Sequence, residues 1–313
     1  MELHHRIQSA LNSQGPHADE LVTLAWILFI GGALIFLIVV ALTAYALFAP
    51  EKRRAWLSRE AVIIGGGLIF PVLTLSALLV YTLIAAASII ERSELAAVRV
   101  EVIGEQWWWR VHYLDAQGRR DFTTANEIRI PAGRPVELSL KSADVIHSFW
   151  VPNLAGKLDM IPGRTNRLRI EAKQPGVFRG QCAEYCGGPH AKMAFYVIAE
   201  APEHFEAWLK SQREPAAEAA VGASEQGRAL FLSHCAACHT VRGTAAAGLR
   251  GPDLTHVGSR TSLAAATLPN NAGTLAAWIA SSQHIKPENL MPSFDIFTGQ
   301  ELRAIAGYLE QLK

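Results

Sequence analysis

Cysteine is scarce in this chain: there are four in 313 residues, and they fall into two close pairs, Cys182/Cys186 and Cys235/Cys238. That count excludes a small fold stapled by disulfides, and each pair sits inside a motif that uses its sulfurs otherwise. Net charge is nearly absent as well, with 29 Lys and Arg against 28 Asp and Glu. A balance of +1 lacks the basic footprint of a nucleic-acid binder. Residues 21–48 and 61–90 contain no Asp, Glu, Lys or Arg at all. Each run exceeds the roughly 20 apolar residues needed to cross a bilayer. Both are therefore expected to be transmembrane helices rather than a buried soluble hairpin. The first twenty residues also lack a basic start followed at once by a short apolar stretch and a small-residue cleavage site. Either a leader has been removed or the first helix is itself the insertion signal; the sequence leaves both open.

What is there can be ordered around those two runs. The segment 49–60 between them holds Lys52, Arg53, Arg54 and Arg59. Basic residues in a short loop favour the cytoplasm, which puts residues 1–20 and everything after residue 90 on the outer side. In a bacterium that is the periplasmic face of the inner membrane. Gly31, Gly32 and Gly65, Gly66, Gly67 lie inside the spans, where small residues let helices approach closely. Pro71 removes one backbone donor from the second span and is expected to kink it.

From residue 98 the pattern changes to short alternating runs at 98–103, 127–130, 136–140, 166–170 and 194–198. Period-two alternation punctuated by Pro131-Ala132-Gly133 and Pro162-Gly163 predicts an antiparallel β sandwich or barrel. Gln106-Trp107-Trp108-Trp109 is expected to open the second strand. Neighbours on a strand face opposite ways, so three adjacent Trp cannot all enter one core. A short helix is expected at 203–212, then a small-residue, proline-containing linker at 211–223.

The densest chemistry lies between Cys182 and Met193, which bring two thiols, the His190 imidazole and a thioether within twelve positions. A Cys182–Cys186 disulfide would leave His190 and Met193 unexplained. Tetrahedral zinc suits two Cys and two His but has no use for Met193. Soft sulfur with imidazole suits copper, and an electron-transfer module downstream favours a redox metal. His147, at the end of an earlier strand-like run, is the candidate second imidazole.

The spacing C-x-E-x-C-x-x-x-H-x-x-M, with the upstream His147-Ser148-Phe149, resembles the binuclear copper centre of cytochrome c oxidase subunit II. The resemblance implies a Greek-key cupredoxin domain, with both Cys sulfurs bridging two coppers held by His147, His190, Met193 and the backbone carbonyl of Glu184. It further implies that the Glu184 carboxylate reaches a magnesium shared with subunit I, whose other oxygen ligands come from that partner. Trp107 matches the family's aromatic residue where electrons arrive, and Trp108 departs from the usual Tyr. Glu60, at the cytoplasmic mouth of the second span, stands near the place of an acidic residue at the entrance of a proton pathway. Asp159 and Arg164, in 156–164, resemble a segment that faces the partner subunit.

Cys235-Ala236-Ala237-Cys238-His239 is a C-x-x-C-H motif. Its sulfurs sit one helical turn apart, placed to add across the two vinyl groups of haem, with His239 as the proximal ligand. Gly251-Pro252-Asp253-Leu254, Gly258-Ser259-Arg260 and Leu290-Met291-Pro292 follow in the order seen in class I cytochromes c. Met291 is the only Met after His239 and the candidate distal ligand; His256 and His284 are rivals without motif support, and His234 is expected at the surface. Zinc at Cys235, Cys238 and His239 lacks a suitably spaced fourth ligand. Thr298-Gly299-Gln300-Glu301 is a capping box opening a final helix with Leu302, Ile305 and Leu309 on one face.

The chain thus reads as a multi-domain membrane protein: a two-helix transmembrane hairpin (21–48 and 61–90, loop 49–60) after an extracytoplasmic segment 1–20. An all-β Greek-key cupredoxin domain (91–210), the linker (211–223) and an all-α class I cytochrome c domain (224–313) follow. It resembles subunit II of a caa-type haem-copper oxidase. That implies two coppers, one covalent haem c, a shared magnesium, and subunits I and III as partners. The external donor would be a cytochrome c or a cytochrome c reductase complex. Residues 91–210 hold 16 Lys/Arg and 15 Asp/Glu, and residues 222–313 hold 7 and 6. Neither module carries the negative charge that would steer a strongly basic donor, so the haem module is expected to receive outside electrons. Fusion makes the next transfer intramolecular.

Overall fold

The computed structural model describes residues 8–91, 98–216 and 223–313. The chain divides into two compact units, one of residues 19–95 and one of residues 1–18 with 96–313.

The helical unit is built on α1 (Pro16–Phe48), which starts with a proline in its first turn, where no donor is lost. Its mid-section is apolar on every side and exposed, as in a helix that faces lipid. At its end, Arg54 Nη1 donates to the Ala46 carbonyl at 2.7 Å and Tyr45 Oη to the Arg53 carbonyl at 2.8 Å. The basic loop therefore closes the last turn of α1. The short helix α2 (Glu51–Arg54) and a 3-10 turn lead to α3 (Glu60–Ile64). Gly65–Ile69 then forms a π-helical turn before α4 (Phe70–Glu91). The second apolar run is thus interrupted where a simple kinked helix was expected. Three glycines tolerate the wider turn, and Pro71 cannot donate back across it.

In the other unit, ten strands form two five-stranded sheets. The first has the order β3 (Arg120–Ala125), β2 (Trp108–Leu114), β1 (Val98–Glu105), β5 (Val136–Ser142) and β8 (Asn166–Ile170). The second has β4 (Glu127–Pro131), β10 (Ala194–Glu200), β9 (Gly176–Cys182), β6 (His147–Trp150) and β7 (Leu158–Met160). Two pairings, β1 with β5 and β4 with β10, are parallel. Alternation reveals which face a strand buries, not the direction of its neighbour, so an all-antiparallel expectation missed these crossovers. Val100, Val102, Trp109, Val111, Leu138 and Phe195 fill the space between the sheets. Residues 8–17 lie on this sandwich: Gln14 N donates to Asn153 O at 2.7 Å, and Lys173 N to Gln14 O at 2.9 Å.

Helix α5 (Pro202–Arg213) lays Trp208, stacked on Phe205, against Tyr113 and Phe122, and it runs through the start of the expected linker. Glu214 and Ala216 are bonded to the last module, whose His256 and Arg242 they meet. Residues 217–222 lie outside the described residues. That module packs α6 (Ala223–His234), α7 (Ala272–Ile285) and α8 (Gly299–Gln311) around Phe231, Leu275, Ile279, Ile305 and Tyr308. A Cβ at Gly227 would collide with the Ala304 carbonyl, so glycine is what lets α6 and α8 cross this closely. The capping box at Thr298 and Glu301 is formed, with Thr298 N donating to Glu301 Oε2 at 2.8 Å.

Candidate metal centre

Strand β6 carries His147 into the sandwich end, and β9 delivers Cys182 beside it. The chain then turns over 183–193 and returns as β10. Among the described residues, His147, Cys182 and Cys186 form a buried cluster whose ligand atoms lie within 4.8 Å of one another. The two Sγ atoms are 3.7 Å apart and not bonded to each other. Cys182 Sγ is 3.9 Å from His147 Nδ1 and 3.2 Å from the Glu184 carbonyl oxygen. Cys186 Sγ is 3.4 Å from His190 Nδ1 and 3.7 Å from Met193 Sδ. All six atoms singled out in the sequence therefore converge on one point at the end of the sandwich.

The hydrogen bond shared by the two sulfurs, with help from His147, holds Cys182 down to about 4 against the effect of burial, while the same neighbour and burial push Cys186 up. A thiolate set between imidazoles, a thioether and a carbonyl, with its hydrogen-bond geometry fixed by the fold, fits a soft cation of the copper type.

Several residues that hold this arrangement escaped the sequence reading. Asp144 Oδ1 lies 2.7 Å from His147 Nε2, so the ring presents Nδ1 to the sulfurs. Burial pulls His147 down, but Asp144 and Cys182 outweigh it and raise the ring to about 9. The signal was local, an acidic residue three positions before a candidate ligand. Gly104 leaves room for the ring, since a Cβ there would lie 2.7 Å from His147 Cδ2. Gln106 Nε2 and Trp107 Nε1 both donate to the Cys186 carbonyl, at 2.7 and 2.9 Å. Gly187, at φ +116°, gives the Trp107 ring its place.

The tryptophans divide as alternation requires, though the strand opens at Trp108, and Gln106 and Trp107 form the turn before it. Trp107 and Trp109 are buried, and Trp108 lies outward under the Arg110 guanidinium at 4.7 Å. Glu184 points its carbonyl at Cys182, and its carboxylate is not gathered with other acidic groups among the described residues. Asp159 pairs with the exposed Lys157 at 3.2 Å, and Arg164 is exposed. Glu60 begins α3, exposed, in the helical unit.

In the last module Cys235 and Cys238 follow α6 as free thiols, and burial pushes Cys235 up to about 11. His239 Nδ1 lies 2.9 Å from the Pro252 carbonyl, which orients the ring and leaves Nε2 free for a ligand. Burial keeps this imidazole below its ordinary value, hence neutral and able to bind iron. Gly251 packs on the ring, where a Cβ would stand 2.6 Å from His239 Cε1. Met291 is placed by its own N–H to Asn289 Oδ1 at 2.8 Å and by Ser282 Oγ to its carbonyl at 2.8 Å. The rivals are otherwise engaged: His256 Nε2 faces the Glu214 carbonyl at 3.1 Å, and His284 is exposed. His234 is at the surface, edge-on to Phe297. Two thiols, an oriented neutral imidazole and a partly covered thioether fit a covalently held haem.

The two modules touch. Lys286, only 2% exposed, donates to the Trp107 carbonyl at 2.6 Å, and Lys192 of the 183–193 loop donates to the Ile285 carbonyl at 2.5 Å. Burial pulls the Lys286 ammonium down to about 7. Buried Glu127 accepts from Thr261 N, Thr261 Oγ1 and Ser262 N at 2.6, 2.6 and 3.0 Å. Arg110 Nη2 donates to the Leu249 carbonyl at 2.8 Å.

Comparison with known families agrees with this division. The family described as cytochrome c oxidase subunit II, periplasmic domain, matches residues 113–200, and the cytochrome c family matches residues 224–313. Cytochrome c oxidase subunit 2 of Alkalihalophilus pseudofirmus is 40% identical over 217 residues, covering 69% of this chain and 61% of the relative. Subunit 2 of Bacillus subtilis is 32% identical over 228 residues, covering 69% and 63%. The chain thus spans somewhat less than two thirds of these relatives. The crystal structure of the periplasmic domain of subunit II of cytochrome oxidase of Bradyrhizobium japonicum is 29% identical. It aligns with a TM-score of 0.36, covering 38% of this chain and 96% of that one.

Proposed function

We propose that this chain, whose residues 113–200 match the cytochrome c oxidase subunit II periplasmic domain and whose residues 224–313 match cytochrome c, is the electron-receiving subunit of a proton-pumping cytochrome c oxidase. Electrons from an external donor reach the haem module, pass to a dicopper centre and leave for the haem of subunit I, where dioxygen is reduced to water. The observation that carries the reading is the convergence of both thiols, both imidazoles, the thioether and the Glu184 carbonyl on one buried point. Its joining to a C-x-x-C-H module in the same compact unit adds to it.

His147, Cys182, Glu184 O, Cys186, His190 and Met193 would hold the two coppers, and Cys235, Cys238, His239 and Met291 the haem. When bound, these groups supply one-electron carriers; the chain supplies their positions. Asp144 fixes which nitrogen His147 offers, and Gln106 and Trp107 hold the loop carbonyl beside Cys186. The Pro252 carbonyl does for His239 what Asp144 does for His147. Cys182, Cys186 and Met193 are buried, so they would keep water from a bound metal and leave little solvent to reorganise as charge moved.

The Glu184 carboxylate is this chain's contribution to a magnesium shared with subunit I, and Glu60 stands at the entrance of that partner's proton path. The two apolar helices anchor the chain in the inner membrane, with both redox modules on the periplasmic side. The domain limits follow: a membrane hairpin, the cupredoxin-like module to about residue 210, and the haem module from residue 224.

Purification from membranes tests the reading: a haem-bearing subunit I, dioxygen consumption, two coppers and one covalent haem per chain are expected. Zinc in place of copper, or a chain without attached haem, sinks it. Met291→Ala is expected to abolish oxidation of the external donor; unchanged oxidation places the port elsewhere.

A further inference from the structure

The contact between the two modules is built at unusual cost, and its parts lead from one candidate redox site to the other. Ala264, Ala265 and Ala266 all hold positive φ, at 54°, 61° and 56°. Alanine resists this conformation, and three in succession persist only where the surroundings impose it. All three carbonyls are occupied at the contact. Ala264 O accepts from Lys286 Nζ at 3.2 Å, Ala265 O from Ala194 N at 3.2 Å, and Ala266 O from Arg179 Nη1 at 3.3 Å. Two of these donors belong to the copper module, one of them directly after Met193.

Lys286 is costly too. An ammonium taken out of water is tolerated when its hydrogen bonds are satisfied, and here the acceptors are two carbonyls rather than a carboxylate. An apolar side chain at this position would avoid that desolvation but could not reach across the boundary. From Lys286 the bonds continue in both directions. Met291 N donates to Asn289 Oδ1 at 2.8 Å, and Asn289 Nδ2 donates to the Lys286 carbonyl at 2.6 Å. Lys286 Nζ donates to the Trp107 carbonyl at 2.6 Å, and Trp107 Nε1 to the Cys186 carbonyl at 2.9 Å. Four hydrogen bonds thus join the distal segment of the haem module to the copper loop, and Lys286 makes the one that crosses.

Gly188 shows how close the approach is. A Cβ there would stand 2.4 Å from Glu288 Oε2, so the end of that side chain would have to swing aside; Glu288 is itself at φ 66°.

We propose that Lys286 is a positioning residue for electron transfer between the two modules: by holding the Trp107 carbonyl, it seats the distal haem segment on the copper loop. This rests on the relay reading of the preceding subsection. In the step it serves, one electron leaves the reduced haem module, which is oxidised, and the copper module is reduced by one.

The test uses the full chain in its assembled complex, comparing wild type with Lys286→Met and Gly188→Leu. Amide exchange needs no turnover. Lys286→Met is expected to speed exchange at Ala194 and at 264–267 at least tenfold, while exchange around Phe231 and Tyr308 stays unchanged. With the haem and copper absorbances intact, transfer after photoinjection of one electron into the haem module is expected to slow at least tenfold. Gly188→Leu, which disturbs the seat from the copper side, is expected to slow it likewise. Unchanged exchange and rate in Lys286→Met overturns the proposal. So does loss of haem from that variant, because Lys286 then serves the fold of its own module. A wild-type complex without both cofactor spectra counts against the relay reading instead, and the exchange result still judges the role of Lys286.

Discussion

The indole N–H of Trp107 donates to the backbone carbonyl of Cys186 at 2.9 Å, and the ring occupies the space that Gly187 leaves by having no side chain. The residue expected to receive electrons is thus bonded to a residue expected to hold metal. Trp107→Phe keeps a ring and removes the donor. Because Gln106 Nε2 still reaches the same carbonyl, no acceptor is orphaned, and the loss of stability is expected to be about 0.5–1.5 kcal/mol. The copper spectrum should survive, while reduction of the copper slows about tenfold, or ~1.4 kcal/mol in barrier. Rapid-mixing absorbance of the copper band reads this; an unchanged rate assigns Trp107 to packing alone.

Asp144 controls metal affinity without touching the metal. Its carboxylate lies 2.7 Å from His147 Nε2 and also accepts from Gln106 N at 2.6 Å. Asp144→Asn retains the shape but permits the wrong ring orientation. Copper affinity is expected to fall about 10–100-fold, measured by competition with a chelator of known strength, and the haem absorbance should be unaffected. Equal affinities in the two proteins would mean that Asp144 serves the turn only.

The candidate ligands were legible in the sequence because chain-local spacing binds them: Cys182 to Met193 is one loop, and Cys235 to His239 one turn. The two long apolar helices were legible from the absence of charge. Residues that act across the fold left no such trace. Lys286 reads as an ordinary loop lysine until the Trp107 and Ala264 carbonyls meet its ammonium in the interior. Glu127 sits in an alternating strand, yet it is buried because three donors from the haem module meet it. The parallel pairing of β1 with β5 was invisible for the same reason, since hydrophobic period records a face and not a partner.

Gly251 is expected to be intolerant of even one added carbon. A Cβ there would stand 2.6 Å from His239 Cε1 and 2.8 Å from Nδ1, well inside van der Waals contact. Gly251→Ala must therefore tilt the imidazole or break its bond to the Pro252 carbonyl. The cysteines are untouched, so haem should remain attached while its axial field weakens. The expected result is a shifted absorbance spectrum with full haem content by alkaline pyridine assay. A wild-type spectrum in the variant would show that His239 is not held as described.

Glu101 makes the sandwich sensitive to acid. It lies on β1 with Arg120 Nη2 at 2.8 Å and Lys141 Nζ at 2.5 Å. Burial opposes its ionisation, but the hydrogen bonds from Lys141 and Arg120 outweigh burial and hold the carboxyl below its ordinary value of 4.5. A carboxyl depressed in the folded state adds stability that is present above its unfolded value and lost as pH falls through the folded one. Both cations are partly exposed, at 59% and 40%, so screening keeps the contribution to about 1 kcal/mol. The gap between wild type and Glu101→Gln is therefore expected to be widest at neutral pH, to narrow below about 4.5, and to shrink with added salt. Amide exchange at Val100 and Val102 follows this strand without assuming that the whole chain unfolds in one step. A gap that stays constant down to pH 3 would mean that Glu101 stabilises the strand through packing of its methylenes and not through its charge.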